Sequence, residues 1–310
     1  MKPELRLGFT AALGAYLIWG FLPLYFKAMG HVSPELMLAH RIVWSLPTGL
    51  ILLALAGQLP ALKAALNWRT MAWLTLSSLL IAVNWLVYIW AVGQDRVLEA
   101  SFGYYINPLV NVAIGALFFA ERLNRTQWSA VMCAFIGVAI MGIALGAVPI
   151  VALILCFSFA GYSVIRKLLQ VDGRAGFVVE AAILFPVALI WLGVMSDEMA
   201  IWGKGTPADI GLLMLSGPLT AVPLILFALA AKRLTLATIG MMQYIGPTLQ
   251  FLLALFVFQE VFGWVHGAAF AFIWLALIIF SGDGWRMTRA NQKKTLAGAV
   301  KAGQGGSLRS

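Results

Sequence analysis

Charge is scarce in this chain. Of 310 residues only 11% are Asp, Glu, Lys or Arg, while 62% are hydrophobic; a soluble domain carries about a quarter charged residues. So little charge cannot cover a protein surface, which excludes a water-soluble globule and places the chain in a bilayer. Cysteine and histidine are as sparse, at two and three. Cys133 and Cys156 lie inside apolar segments and no CxxC or Cys/His ligand spacing occurs, so neither a disulfide framework nor a metal site is expected. There is no GxxxxGK[ST] phosphate loop, no HExxH word and no nucleophile with a spaced base. ATP-driven machinery and an intramembrane enzyme both lose their usual signatures, and no cofactor is expected. The net charge of +9 does not point to nucleic acid, because the cations fall in short loops and the tail and form no face interleaved with aromatics.

What is present is a series of apolar windows about 20 residues long, the length that crosses about 30 Å of hydrocarbon. They fall at about 7 to 28, 36 to 56, 71 to 92, 99 to 120, 127 to 145, 147 to 165, 176 to 195, 209 to 230, 235 to 258 and 263 to 281. The first follows Lys2 and Arg6 but is too long for the core of a secretory signal, so it reads as a spanning helix. With the N-terminus inside, Lys63, Arg69, Arg122, Arg125, Arg166, Lys167, Arg174, Lys232, Arg233 and the tail cations fall on the inner side. Only Lys27, Arg41, Arg96 and Lys204 fall outside, the asymmetry of the positive-inside rule. Both termini are then cytoplasmic, and the basic tail over 285–310 is expected to be disordered against the anionic inner leaflet.

The word Tyr105-Ile106-Asn107-Pro108, with Glu121 beyond it, returns as Tyr244-Ile245-Gly246-Pro247 with Glu260, every matched position 139 residues on. At the same offset Pro47 meets Pro186, Arg41 meets Glu180 and Asn84 meets Pro223. A duplication follows, giving units 1–145 and 146–284. Five helices per unit is odd, so the second unit enters the membrane inverted. The fold class is an all-α membrane protein of ten transmembrane helices as two inverted five-helix repeats, an arrangement that recurs where two halves enclose a two-sided cavity.

Several words resemble a known family. His40-Arg41-Ile42-Val43-Trp44-Ser45, Asn84-Trp85, Leu98-Glu99-Ala100-Ser101 and Gln243-Tyr244-Ile245-Gly246-Pro247-Thr248, together with the repeated tyrosine word, resemble the RarD branch of the EamA transporters in the drug/metabolite transporter superfamily. The resemblance runs from about Leu7 to Ser281. It implies two EamA units and a multi-pass permease of the bacterial inner membrane.

Candidate substrate-binding residues come from polar and aromatic groups at depth. Tyr104, Asn107 and Asn111 in the fourth window, and Gln243, Tyr244 and Gln250 in the ninth, form related polar stripes, and Tyr105 belongs to the first of them. Facing lipid, such groups would each cost a few kcal/mol, so they face protein or a water-filled cavity; interhelical hydrogen bonding is the plainer reading. Pro108 and Pro247 would break the two helices and supply hinges. Tyr16, Trp19, Trp85, Tyr88 and Tyr162 are candidate ring walls, with core packing as the alternative, and Asn84 shares a helix face with Tyr88. His40 titrates near neutrality in its ordinary state. Arg41, one turn into the second window, is either a substrate contact or a snorkelled anchor. Glu180 is the best-placed carboxylate for proton coupling, against a structural ion pair. Glu121 and Glu260 close their helices, where either would latch a gate against another loop. Gly142 to Gly146 and Gly263 to Gly267 are GxxxG spacings that permit close helix contact or a homodimer.

These features point to a gradient-driven carrier of a small organic solute. A lipid or lipid-linked-sugar flippase is the alternative, favoured if Arg41 or Arg166 lines a groove open to lipid. A channel lacks its ring of charges or filter repeat.

Overall fold

The computed structural model describes residues 3–118, 124–144, 148–194, 206–231, 233–234, 242–280 and 282–283. Among them the regular structure is entirely helical. In chain order the helices are α1 (Pro3–Ala28), α2 (Pro34–Leu55), the short α3 (Ala61–Ala65), α4 (Trp68–Gly93), α5 (Val97–Phe118) and α6 (Arg125–Ala144). They are followed by α7 (Ile150–Leu168), α8 (Gly173–Val194), α9 (Pro207–Ala231) and α10 (Ile245–Phe256), and then by α11 (Trp264–Phe280). Six of the described helices, α1, α2, α4, α6, α8 and α9, are long and apolar enough to cross a membrane. The tail from residue 284 and the Glu121 turn lie outside the described residues.

Local capping explains where five of the described helices begin. Ser33 Oγ accepts from the Leu36 amide at 3.4 Å ahead of Pro34, a residue suited to the first helical turn because it has no N–H to satisfy. Asn67 Oδ1 accepts from the Thr70 amide at 2.9 Å to start α4. Asn124 and Gln127 exchange side-chain and backbone bonds of 2.8 and 3.1 Å at the start of α6, and Thr206 and Asp209 do the same before α9, both in the manner of a capping box. Asp172 accepts from the Arg174 and Ala175 amides at the head of α8. Burial pushes its carboxyl upward, but hydrogen bonds and charge from Arg174 and the Ala175 amide outweigh that and hold it below the ordinary value. No residue next to α5 caps that helix; its cap comes from far along the chain.

Helices α4 and α8 sort polar from apolar around their circumference. Helix α4 buries Ser77, Asn84 and Tyr88 and exposes Leu76, Leu79 and Val83. Helix α8 buries Glu180 and exposes Val187, Ile190 and Val194. The apolar face is outermost, as the absence of water around a spanning helix requires.

The chain divides into two compact units, residues 1–111 with 149–262, and residues 112–148 with 263–310. Within the first, α2 packs on α8 and α9, α4 on α7, and α1 on α9 and α10. The α2–α9 crossing is closest at Gly217, where a Cβ would fall inside 3 Å of the Trp44 carbonyl oxygen. Within the second unit, α6 and α11 approach where a Cβ on Gly137 would meet the Ala269 carbonyl at 2.9 Å. The close approach there uses a glycine outside the GxxxG spacings, of which Gly146 lies outside the described residues.

One sequence expectation shifts. Arg41 stands seven residues after Pro34, about 10 Å along the axis, so it is two turns deep and not one; the Ser33 cap starts α2 earlier than the apolar window did. Pro247 follows the turn at Tyr244, which separates helical residues 242–243 from α10. It occupies the first turn of α10, where its missing N–H costs no intrahelical bond. Pro108 lies within the helical span of α5.

Candidate functional site

Two polar and aromatic clusters and a buried ion pair sit inside the first unit. The first cluster is built around Arg41, whose side chain is only 4% exposed. Its Nε donates to Thr220 Oγ1 on α9 at 2.7 Å. The guanidinium lies over the Trp85 ring at 4.3 Å and over the Phe26 ring at 5.7 Å, and its electrostatic neighbours are the neutral side chains Tyr25, Tyr88 and Tyr104. Nη1 is buried with no hydrogen-bond partner. Under Trp85 and Phe26, Arg41 is not a snorkelled anchor.

Asn84 ties this cluster together. Its Nδ2 donates to the Leu155 carbonyl at 2.9 Å and to Ser158 Oγ at 3.0 Å, and its Oδ1 accepts from the Tyr104 hydroxyl at 3.0 Å. Helices α4, α5 and α7 therefore meet at one amide. Tyr104 and Tyr88 contact edge to face at 5.6 Å, Tyr88 reaches Phe26 at 5.9 Å, and the Tyr88 hydroxyl is buried without a partner. His40 is also buried in α2. Interhelical bonds inside a membrane are worth about 0.6 kcal/mol each, so Asn84→Ala is expected to lower stability by about 2 kcal/mol through its three bonds. Thermal unfolding in detergent checks this, and a midpoint unchanged from wild type would mean that the amide is not a structural node.

The second cluster lies where α1, α5, α9 and α10 meet. Tyr16 packs on Trp19 at 5.6 Å, and both pack on Phe227. Gln250 Nε2 donates to the Trp19 carbonyl at 3.2 Å, leaving Gln250 Oε1 buried and unpartnered. Tyr105 and Thr248 share a hydroxyl–hydroxyl bond of 2.7 Å. The Tyr105 and Tyr244 rings, the two tyrosines of the repeated word, stack at 6.3 Å with planes 19° apart. Asn107 is fully buried nearby in α5 and Gln243 is half-buried ahead of α10. The Asn111 side chain is outside the described residues.

Glu180 is buried and belongs to neither cluster. It accepts from the Ser77 hydroxyl and pairs with Arg166 Nη1 at 3.7 Å, while Arg166 also donates to the Gly173 carbonyl at 3.0 Å. Glu180 and Tyr162 border a small cavity with Ile42, Ser45, Ile81 and Trp85, with room for little more than a water molecule.

Glu260 reaches another loop, as the sequence raised. Its two carboxylate oxygens accept from the Val97 and Leu98 amides at 2.7 and 2.9 Å, capping α5 with a full negative charge at the positive end of the helix dipole. Lys27 pairs with Asp95 beside it and lies over the Phe258 ring. Asp95 and Gln259, both at φ 54°, are the non-glycine residues in the left-handed region among the described residues, and both adjoin this contact. Backbone held there costs of order 1 kcal/mol and persists where surroundings enforce it. Burial raises the Glu260 carboxyl above its ordinary value against the lowering by the two amides. The stability tied to that shift is full below the ordinary carboxyl pKa and is lost as pH rises through the raised one. Glu260→Gln keeps one acceptor and turns an amide donor toward the other N–H, at an expected cost of about 1–2 kcal/mol. Amide exchange at Val97 and Leu98 should quicken accordingly; unchanged exchange would show that the carboxylate does not hold α5.

Sequence reasoning did not single out Thr220, Ser77 and Thr248. Ser216 and Thr220 at i and i+4 in apolar α9, and Ser77 one face-repeat before Asn84, carried the signal.

The helices and buried polar interior define a multi-pass membrane protein. The EamA-like transporter family model matches residues 6–143. An uncharacterized transporter of Vibrio cholerae is 42% identical over 302 residues, covering 94% of this chain and 97% of its own. Protein RarD of Escherichia coli is 42% identical over 292 residues, covering 94% of this chain and 99% of its own. A solved crystal structure, 21% identical, matches 92% of this chain and 98% of its own with a TM-score of 0.60, which bears on the fold alone. The chain belongs to the EamA-like transporter family as a RarD-type permease.

Proposed function

We propose that this chain is a secondary active transporter that moves a small organic solute across the bacterial inner membrane by alternating access. Its ten spans form two inverted repeats, 1–145 and 146–284, with both termini cytoplasmic. The observation that carries the reading is the stacking of Tyr105 on Tyr244. A residue that touches its own repeat equivalent lies beside the axis relating the two copies. The helix pairs agree: α4 on α7 is mirrored by α9 on α1, and α2 packs on its own counterpart α8. Two similar halves meeting along a polar seam can open to one side or the other at similar cost.

A soluble solute is favoured over a lipid because Arg41 is buried among helices and the Arg166 guanidinium is engaged by Glu180. Proton coupling is assigned to Glu180, since protonation of that carboxylate releases Arg166 at the edge of the cavity. Single cysteines at Lys63→Cys and Lys204→Cys, in a chain cleared of Cys133 and Cys156, should label from opposite sides of sealed vesicles. Labelling from the same side would overturn the inverted repeat.

A further inference from the structure

We infer that Arg41 is the binding site for the negative end of the transported solute, and that this solute is an organic anion bearing one carboxylate on an apolar or aromatic body. The inference deepens the permease reading and rests on it. A buried guanidinium keeps its charge at neutral pH, and leaving such a charge uncompensated costs several kcal/mol. Arg41 has no carboxylate within ion-pair distance among the described residues. The nearest candidate by repeat position, Glu180, is already engaged by Arg166 and Ser77.

What Arg41 does have is one hydroxyl and two ring faces. The Thr220 bond occupies Nε, and stacking on Trp85 and Phe26 covers the flat faces. Cation–π contacts and one hydroxyl bond stabilise the guanidinium without cancelling its charge, so the charge is tolerated but not neutralised. The outer edge remains, with Nη1 buried and unpartnered. A guanidinium edge is the geometry that a carboxylate meets in bidentate fashion, and Nη1 is the donor without a partner there. The buried Tyr88 hydroxyl, also without a partner, is a second donor in the same cluster.

The surroundings select the rest of the ligand. Trp85, Tyr88, Tyr104 and Phe26 give an aromatic wall suited to an apolar body. A phosphate dianion calls for more positive charge than one arginine, and Arg166 is committed to Glu180. Lys27 is held at the end of α1 by Asp95.

The test uses the full chain in proteoliposomes, with phenylacetate, its neutral analogue phenylacetamide, and inorganic phosphate as probes. Phenylglyoxal modification of Arg41, followed by peptide mass spectrometry, should be slowed about tenfold by saturating phenylacetate and left unchanged by the amide or by phosphate. Arg41→Gln, checked for folding by size exclusion, should lose the thermal stabilisation that phenylacetate gives the wild type. Equal protection by the amide, protection by phosphate alone, or an Arg41 that never reacts in any condition would overturn the assignment. The first experiment needs only the wild-type chain, so a poorly folded variant does not decide the matter. Flux separates the two readings: vesicles that carry a neutral solute while phenylacetate fails to protect Arg41 would sink the anion site and leave the permease standing. Protection of Arg41 by phenylacetate in vesicles that carry no solute at all would sink both readings, leaving an anion site without transport.

Discussion

Gly217→Ala is expected to cost more stability than any other methyl group added to α9, enough to deplete folded chain from the membrane. The new Cβ would fall inside 3 Å of the Trp44 carbonyl oxygen and close to Thr48 Oγ1. Trp44 O already accepts from Thr48 Oγ1 at 2.7 Å, so α2 cannot move away without disturbing that bond. Overpacking of a rigid contact costs about 1–3 kcal/mol and more where backbone is the obstacle. Gly211 provides an internal control on the same helix, since a Cβ there meets nothing within 4 Å. Gly211→Ala should be neutral or gain up to about 1 kcal/mol from helix propensity. Thermal unfolding of both variants is the measurement, and equal midpoints would show that α9 does not rest on α2 at Gly217.

Glu180→Ala should be almost as damaging, for a different reason. It strands the Arg166 guanidinium in the interior and removes the carboxylate from the Ser77 hydroxyl, which keeps only its bond to the Leu74 carbonyl at 3.1 Å. Removing one member of a buried ion pair costs about 3–5 kcal/mol, while replacing both by apolar groups is often neutral. The double variant Glu180→Leu with Arg166→Met should therefore recover most of the loss. Glu180→Gln keeps the Ser77 contact and removes the charge. It should lose the part of the stability that the ion pair supplies, less than Glu180→Ala, and in the folded chain abolish the dependence of uptake on a pH gradient in vesicles. Gradient dependence equal to wild type would remove Glu180 from the coupling step and leave it a purely structural partner of Arg166.

Much of this architecture can be read directly from residue patterns. Helix starts are encoded locally: Ser33 before Pro34, Asn67 before α4, Asn124 with Gln127, and Thr206 with Asp209 are each short-range hydrogen-bond devices. The duplicated tyrosine word needs only a constant offset to be seen. Period-3.6 spacing likewise separates Asn84 and Tyr88 from the exposed face of α4. Partners are another matter, because periodicity tells which way a side chain points and not what it meets. The Thr220 bond to Arg41 joins residues 179 apart and the Glu260 cap on α5 joins residues 163 apart; both depend on which helices cross and where. Even the short-range Arg166–Glu180 pair is hidden, since it spans the turn between α7 and α8 and needs the angle of that turn. Depth is hidden too. Arg41 looks shallow when the helix is dated from its first apolar residue and deep once the Ser33 cap sets the start.

Access from both sides of the membrane to the cavity beside Glu180 is the property on which the carrier mechanism stands. Ser45 is 1% exposed and lines that cavity with Trp85 and Glu180. In a chain cleared of Cys133 and Cys156, Ser45→Cys reconstituted in one orientation should react with membrane-impermeant maleimide applied to either side of sealed vesicles. A transported solute should slow both reactions. Modification from one side only, under every condition tried, would contradict alternating access and with it the carrier mechanism.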